Sequence, residues 1–213
     1  MDKNSILVQR HSARAFEDRA VPVDILKDIV TEAGLAPSWE NTQPWKAYLA
    51  IGETVKRIRT SHYKLATNKT KSWTEVVPPQ SWSTYTQTNI DNWLAETKAT
   101  LGSATQAFFD SNNLIFDAPA IIYITIPKDS SHYSAYDAGA FGYGLLLAAQ
   151  EHGLGAISAY ELIRYPAEIR AQIKIPEDES LMMGIAIGFP KADKLNMLKT
   201  SRNNLDVVLT IAN

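Results

Sequence analysis

The sequence has no cysteine, which excludes disulfides, cysteine nucleophiles, iron–sulfur clusters and thiolate zinc sites together. It also lacks an excess of either charge. With 21 Lys and Arg against 23 Asp and Glu, the net charge is −2 and the pI near 6.1, so polyanions are not attracted at long range and nucleic acid is not an expected partner. Long apolar runs are missing as well: the nearest, Ala138 to Ala149, is broken by glycines and falls short of the ~20 residues of a membrane helix. The amino-terminal run Ile6-Leu7-Val8 is too brief for a signal segment of ~7–15 apolar residues. A cytoplasmic protein without membrane contact is expected. Histidines are few, His11, His62, His132 and His152, and none forms the HExxH spacing or an i, i+4 pair, so no metal site is expected. There is no GxSxG elbow, no GxxxxGK[ST] loop and no GxGxxG after a strand, which removes the Rossmann and P-loop readings.

What is present is an ordinary folding composition, 45% hydrophobic and 21% charged over 213 residues, without a repeat or a linker that would divide it. One domain, 1–213, is expected. Ile25, Ile29, Ala33 and Ala36 recur at spacings of three and four, the stripe of an amphipathic helix that Pro22 starts and Pro37 ends. Trp45, Ala47, Leu49 and Ile51 then alternate with Lys46, Tyr48 and Ala50, predicting a strand closed by Gly52. Ala120 to Ile126 reads as a strand buried on both faces. Asp137 to Gln150 is apolar all round and predicts a buried helix. Its Gly139, Gly142 and Gly144 imply a close approach by another helix or by a ligand. A short strand near Ala156–Ala159, a helix from Pro166 carrying Ile169 and Ile173, and a strand from Leu181 to Phe189 complete the body.

Residues 61–112 differ in character: 22 of these 52 are Ser, Thr, Asn or Gln and only six are Leu, Ile or Val. Such a segment is not expected in the core. It nevertheless holds Trp73, Trp82 and Trp93, and is read as a helical excursion or lid, the alternative being a partly disordered insertion.

Two segments carry candidate chemistry. In an extended backbone Arg10, Ser12 and Arg14 point to one side, so two guanidiniums and a hydroxyl form a cradle for phosphate. Alone, this pattern more often marks two solvated arginines. In Ala36-Pro37-Ser38-Trp39-Glu40-Asn41-Thr42-Gln43-Pro44-Trp45, two prolines bracket Ser38, Asn41 and Gln43, short side chains that both donate and accept. That loop suits the edge of a heteroaromatic ring, and a purely structural turn would account for it as well.

Together the two segments resemble the FMN-dependent nitroreductase family. Its opening Arg-x-Ser-x-Arg-x-aromatic pattern is matched by Arg10 to Phe16, and its Ala-Pro-Ser-x-x-Asn-x-Gln-Pro-Trp signature by Ala36 to Trp45. Asp137 to Ala149 with Gly153-Leu154-Gly155 is similar to the family's central helix and its end. Ile175 to Glu179 and Met183 to Pro190 resemble its closing strand, and Arg202 its late arginine. The likeness spans the chain except 61–112, where the family varies.

The resemblance implies an α+β fold, a central, mostly antiparallel sheet flanked by helices, in an intertwined homodimer whose C-terminal strand, here Leu205 to Leu209, is exchanged. It implies that Arg10, His11, Ser12, Arg14 and Arg202 hold the phosphate, ribityl chain and pyrimidine edge of FMN. Pro37, Ser38, Trp39 and Asn41 would contact the same flavin from the other subunit. Ser158, Ala159, Tyr160 and Glu161 would pass backbone over the ring. Lys199 is a second cation, spaced farther from Arg202 than the family's pairing, and Gly144 stands where many members carry asparagine. No side chain is implied as a proton-transfer catalyst, since the flavin performs the chemistry. The implied activity is ping-pong hydride transfer from NADH or NADPH through flavin N5 to nitroaromatics, quinones or related acceptors. Other acceptors within the family, a flavin-storing protein without turnover and a plain phosphoanion-binding module are the alternatives.

Overall fold

The structure, a computed structural model, describes residues 5–212, and Met1–Asn4 and Asn213 lie outside it. Strands β1 (Lys46–Ile51), β2 (Ala120–Pro127), β3 (Gly155–Ala159) and β4 (Glu179–Gly188) form one sheet in the order β1-β2-β4-β3, with every neighbouring pair antiparallel. β2 lies inside the sheet and is buried at every position but the last, as its β-branched, largely apolar run requires.

Side-chain alternation divides the core into two layers, one on each sheet face. Ala50, Ile121, Tyr123, Ile157, Leu181 and Ala186 belong to one, while Ala120, Ile122, Ile124, Ala156, Ile185 and Ile187 belong to the other. The register shifts between Ile124 and Thr125, so that Met183 pairs with Ile124 and Leu181 with Thr125, leaving Met182 as the bulged residue. The bulge puts Leu181 on the face opposite Met183, which strict alternation would forbid.

The helices flanking the sheet follow the same two layers. On the second face lie α2 (Val23–Ala33) and the long α6 (His132–Glu151), packed against each other. The close approach anticipated at the three α6 glycines is found at two, where a helix and the sheet come near, and not at Gly139, which has nothing within 4 Å of a Cβ position. A Cβ at Gly144 would meet Ala33 Cα at 3.1 Å, and one at Gly142 would meet Ile124 Cδ1 at 3.2 Å. α6 starts more than a turn earlier than expected and is not buried all round, because Tyr133, Tyr136 and Tyr143 leave one aromatic strip exposed. The first face is covered by α3 (Gly52–Thr67) and α7 (Pro166–Arg170). Ile173 packs against this layer from beyond the end of α7 rather than from within the helix.

The polar segment 61–112 is helical: it contains the end of α3, then α4 (Thr84–Leu101) and α5 (Thr105–Asp110). The expectation that it contributes nothing to the core is corrected. Leu101 and Phe108 are fully buried and form a third apolar cluster with Leu195 and Leu198 from the C-terminal region, against which Trp93 packs. Six Leu, Ile or Val in the segment suffice because one leucine and the phenylalanines are concentrated where the helices meet that region. The loop 68–83 is also tied down: Arg170 donates to both oxygens of Glu75 (2.6 and 2.9 Å), and the Leu181 N–H donates to the same carboxylate at 2.7 Å.

Leu205 to Leu209, expected as a strand exchanged with a partner, is not a strand within this single chain. Leu205–Val208 is one turn of helix, α8, and Leu205, Val207, Val208, Leu209 and Ile211 are all exposed. Among the described residues no strand lies beside this stretch to pair with its backbone.

Candidate functional site

The segment after α1 (Ile6–Gln9) is extended, as its alternating chemistry predicts, and it lies along β3. Ser12 bridges Ala156 in parallel, and the Ala13 N–H donates to Ala156 O at 3.1 Å. The approach is close enough that a Cβ on Gly155 would sit 2.6 Å from that of Ala13. The other side of the segment is gripped by Asn196. Its Oδ1 accepts from the N–H groups of Arg14 (2.7 Å) and Ala15 (3.2 Å), and its Nδ2 donates to the carbonyls of Ala15 (2.7 Å) and Lys191 (2.9 Å). One amide thus satisfies four backbone groups and fixes the point where Arg14 leaves the chain.

Arg10, His11, Ser12 and Arg14 open into a cleft of about 650 Å³ that Lys199 and Arg202 also line. Six sequence-selected residues therefore share one space. α4 supplies the remaining wall through Asn89, Asn92, Trp93 and Glu96. Among the described residues, none of Arg10, Arg14, Lys199 or Arg202 is paired with a carboxylate. Among the described residues, Arg10 Nε is buried without a hydrogen-bond partner, and Arg202 Nη1 donates within its own segment, to Thr200 and Ser201. Burial lowers the Arg14 guanidinium to about 10, still well above neutrality. Glu96, the one carboxylate lining the cleft among the described residues, accepts from Ser201 Oγ at 2.7 and 2.9 Å, and Asn203 Nδ2 donates to the Tyr85 hydroxyl at 2.7 Å. α4 therefore holds the segment that carries Lys199 and Arg202.

Pro37, Ser38, Trp39 and Asn41 do not line this cleft. Their loop is rigid and strained, with Glu40, Asn41 and Gln43 in the left-handed region at φ 47°, 59° and 44°. Buried Asp137 accepts from the Trp39 N–H at 3.0 Å, Ser38 Oγ accepts from the Gln43 N–H at 3.0 Å, and Trp39 packs on Tyr133 with ring centres 4.5 Å apart. Ser158, Ala159, Tyr160 and Glu161 also lie outside the cleft. The Glu161 side chain is committed elsewhere: its Oε1 takes His62 Nε2 at 3.0 Å and Arg164 at 2.9 Å. Burial pushes that carboxyl up, but these two partners outweigh it and hold the group below its ordinary value.

A cleft lined by four cations that have no carboxylate partner among the described residues, one of them with a buried nitrogen that has no hydrogen-bond partner among them, is suited to a small molecule carrying an anionic group. The model of the nitroreductase family matches residues 7–189, most of the chain. The chain belongs to the nitroreductase family. It is 24% identical to the chloronitrobenzene nitroreductase of Comamonas testosteroni over 97% of this chain and 95% of that protein. It is also 26% identical to the iodotyrosine deiodinase of Danio rerio over 86% of this chain and 58% of that one. In structure it matches the FMN and NADPH-dependent nitroreductase NfnB of Sphigopyxis sp. strain HMH with a TM-score of 0.90, 25% identity and full coverage of both chains. The α+β nitroreductase-like fold expected from the sequence is thereby shown. Among the described residues, no helix of this nitroreductase-family chain is long and apolar enough to cross a membrane.

Sequence reasoning missed Asn196, Phe108 and the α4 wall. Leu195 and Leu198, spaced as one helical face, were the available signal that the C-terminal region docks. Nothing in the sequence marks Asn196.

Proposed function

We propose that this chain is an FMN-dependent oxidoreductase that takes hydride from NADH or NADPH and delivers it to nitroaromatic or quinone acceptors. The observation that carries the reading is the cationic cleft with the unbonded Arg10 Nε. Its residues fit FMN: Arg10, Ser12, Arg14, Lys199 and Arg202 would hold it by charge-assisted hydrogen bonds, with His11 beside them. FMN, when bound, accepts and donates hydride at its ring. This chain's own residues bind and orient it, and they present positive charge to a cofactor that gains negative charge on reduction. Support comes from the relatives, one named for chloronitrobenzene and one described as dependent on FMN and NADPH. Storage without turnover and plain phosphoanion binding are the competing readings.

Anaerobic mixing of the purified protein with each nicotinamide separates these readings. Bleaching of the flavin band, followed by recovery on adding a nitroaromatic, is expected. A flavin that stays oxidised with both nicotinamides would leave only storage, and a colourless protein with no FMN affinity would leave only anion binding.

The same reading takes the protein as a homodimer, with Pro37, Ser38, Trp39 and Asn41 completing the flavin site of the other protomer. The features that favour this are the exposed apolar tail Leu205 to Ile211, the exposed tyrosines of α6 and the outer edge of β1, unpaired among the described residues. A groove lined by Val30, Gly34, Trp45, Ala47 and Phe141 runs beside that edge. Sedimentation should give twice the chain mass, and removal of residues 202–213 should cause aggregation. A soluble, active monomer after that deletion would contradict the exchange.

A further inference from the structure

Arg14 lies against two aromatic faces. Its guanidinium carbon is 4.1 Å from the centre of the Phe108 ring and 5.6 Å from that of Phe116. Phe108 is fully buried in the third apolar cluster with Leu101, Leu195 and Leu198. It meets Phe109 edge-on at 5.3 Å and lies 6.3 Å from Trp93. Phe116 is presented from a strained turn in which Ile115, Phe116 and Asp117 have φ of 45°, 63° and 52°. Left-handed geometry is costly for a β-branched residue, and here the burial of Ile115 and Phe116 in the first core layer offsets it.

A guanidinium taken out of water needs compensation, and proteins usually supply a carboxylate. That would neutralise the charge and compete with an incoming anion. An aromatic face attracts the cation through its quadrupole while leaving the net charge intact. Arg14 has the aromatic form of support and no acid partner among the described residues, in a cleft where charge is the means of binding.

We propose that Phe108 is a positioning residue for the cofactor, holding the Arg14 guanidinium in the cleft with its charge free for the bound flavin. The proposal rests on the FMN reading of the cleft. The helical excursion then serves the cleft twice, because α5 underlies the cation while α4 forms the wall and grips Ser201 and Asn203. FMN affinity thus depends on a segment that contains none of the Arg-x-Ser-x-Arg residues.

A double-mutant cycle in FMN affinity tests this, using the apoprotein, Phe108→Leu, Arg14→Ala, the double variant and Phe108→Tyr, with melting temperatures measured alongside. Phe108→Leu should weaken FMN binding about 3–30-fold, the range a desolvated cation–π contact supports. Phe108→Tyr, which keeps the ring, should restore affinity to within about twofold of the wild type, and in the Arg14→Ala background Phe108→Leu should change affinity by less than about twofold. Equal losses in both backgrounds, or no rescue by tyrosine, would show Phe108 to be packing alone and overturn the proposal. If Phe108→Leu does not fold, Phe108→Met, similar in size without a ring, takes its place in the cycle. Absence of FMN binding to the wild type would remove the FMN reading itself, an outcome distinct from an additive cycle.

Discussion

The side-chain oxygen of Asn196 accepts a hydrogen bond from the Arg14 N–H at 2.7 Å across 182 positions of sequence. The same amide serves Ala15 and Lys191, so one residue on the C-terminal side sets the backbone from which a cleft cation projects. Asn196→Ala leaves the partly buried N–H groups of Arg14 and Ala15 without this acceptor, each costing about 1–3 kcal/mol, while Ala15 O keeps the Lys191 N–H at 3.0 Å. Chemical denaturation should show a loss in at least that range, and FMN affinity should fall with it. Unchanged stability would mean that water replaces the amide.

Two glycines of α6 should respond in opposite directions to alanine. Gly144→Ala drives a methyl to within 3.1 Å of Ala33 Cα and should cost about 1–3 kcal/mol by forcing α2 and α6 apart. Gly139 has nothing within 4 Å of its missing Cβ, so Gly139→Ala should stabilise by up to about 1 kcal/mol through helix propensity. Thermal melts of the two variants check the contrast.

Acid should destabilise the fold through three glutamates. Burial pushes Glu75 and Glu179 upward, yet Arg170 and the Leu181 N–H outweigh it at the first, and Lys46, Thr125 and Tyr48 at the second. Glu161 is likewise held low by His62 and Arg164. Each carboxyl has a lower value folded than unfolded, so the unfolded chain binds more protons in acid. Stability should be level above about pH 6 and should fall as pH drops through the unfolded glutamate value of about 4.3 and on through the lowered folded values. Glu75→Gln should lower stability at neutral pH and flatten the acid slope. An acid slope equal to the wild type's would contradict the assignment.

The three tryptophans of the polar segment should separate by role. Trp93→Ala removes packing from the third cluster and should lower the melting temperature. Trp73 is 72% and Trp82 52% exposed, so their alanine variants should keep wild-type stability. If either covers bound acceptor, its loss should raise the acceptor KM without changing FMN affinity. Unchanged acceptor ranking in both variants would assign the exposed tryptophans to no part of the site.

How far the sequence carried the fold depended on locality. β2 was legible because a run of seven residues, five of them β-branched and all but Thr125 apolar or aromatic, admits few other environments, and the Arg10–Arg14 face because an extended chain sends alternate side chains one way. α2 and the glycine-bearing α6 were legible through their spacing. The third cluster was not, since Leu101, Phe108, Leu195 and Leu198 lie far apart in sequence and sit within polar surroundings. Nor was the Asn196 clamp, because an asparagine that satisfies distant backbone groups leaves no periodic trace. Leu205 to Leu209 was expected as a strand only through the family resemblance; a strand exists only beside a partner, and within one chain the stretch closes into a helical turn.

The central claim is that the cationic cleft holds FMN through its charges. Calorimetric titration of the purified apoprotein with FMN and with riboflavin, which lacks the phosphate, tests it most directly, using the wild type and Arg10→Ala. The wild type should bind FMN at least about tenfold more tightly than riboflavin, since hydrogen bonds between charged groups contribute about 1.5–3 kcal/mol each, and Arg10→Ala should narrow that ratio. Equal affinity for the two flavins, or no affinity for either, would contradict the account.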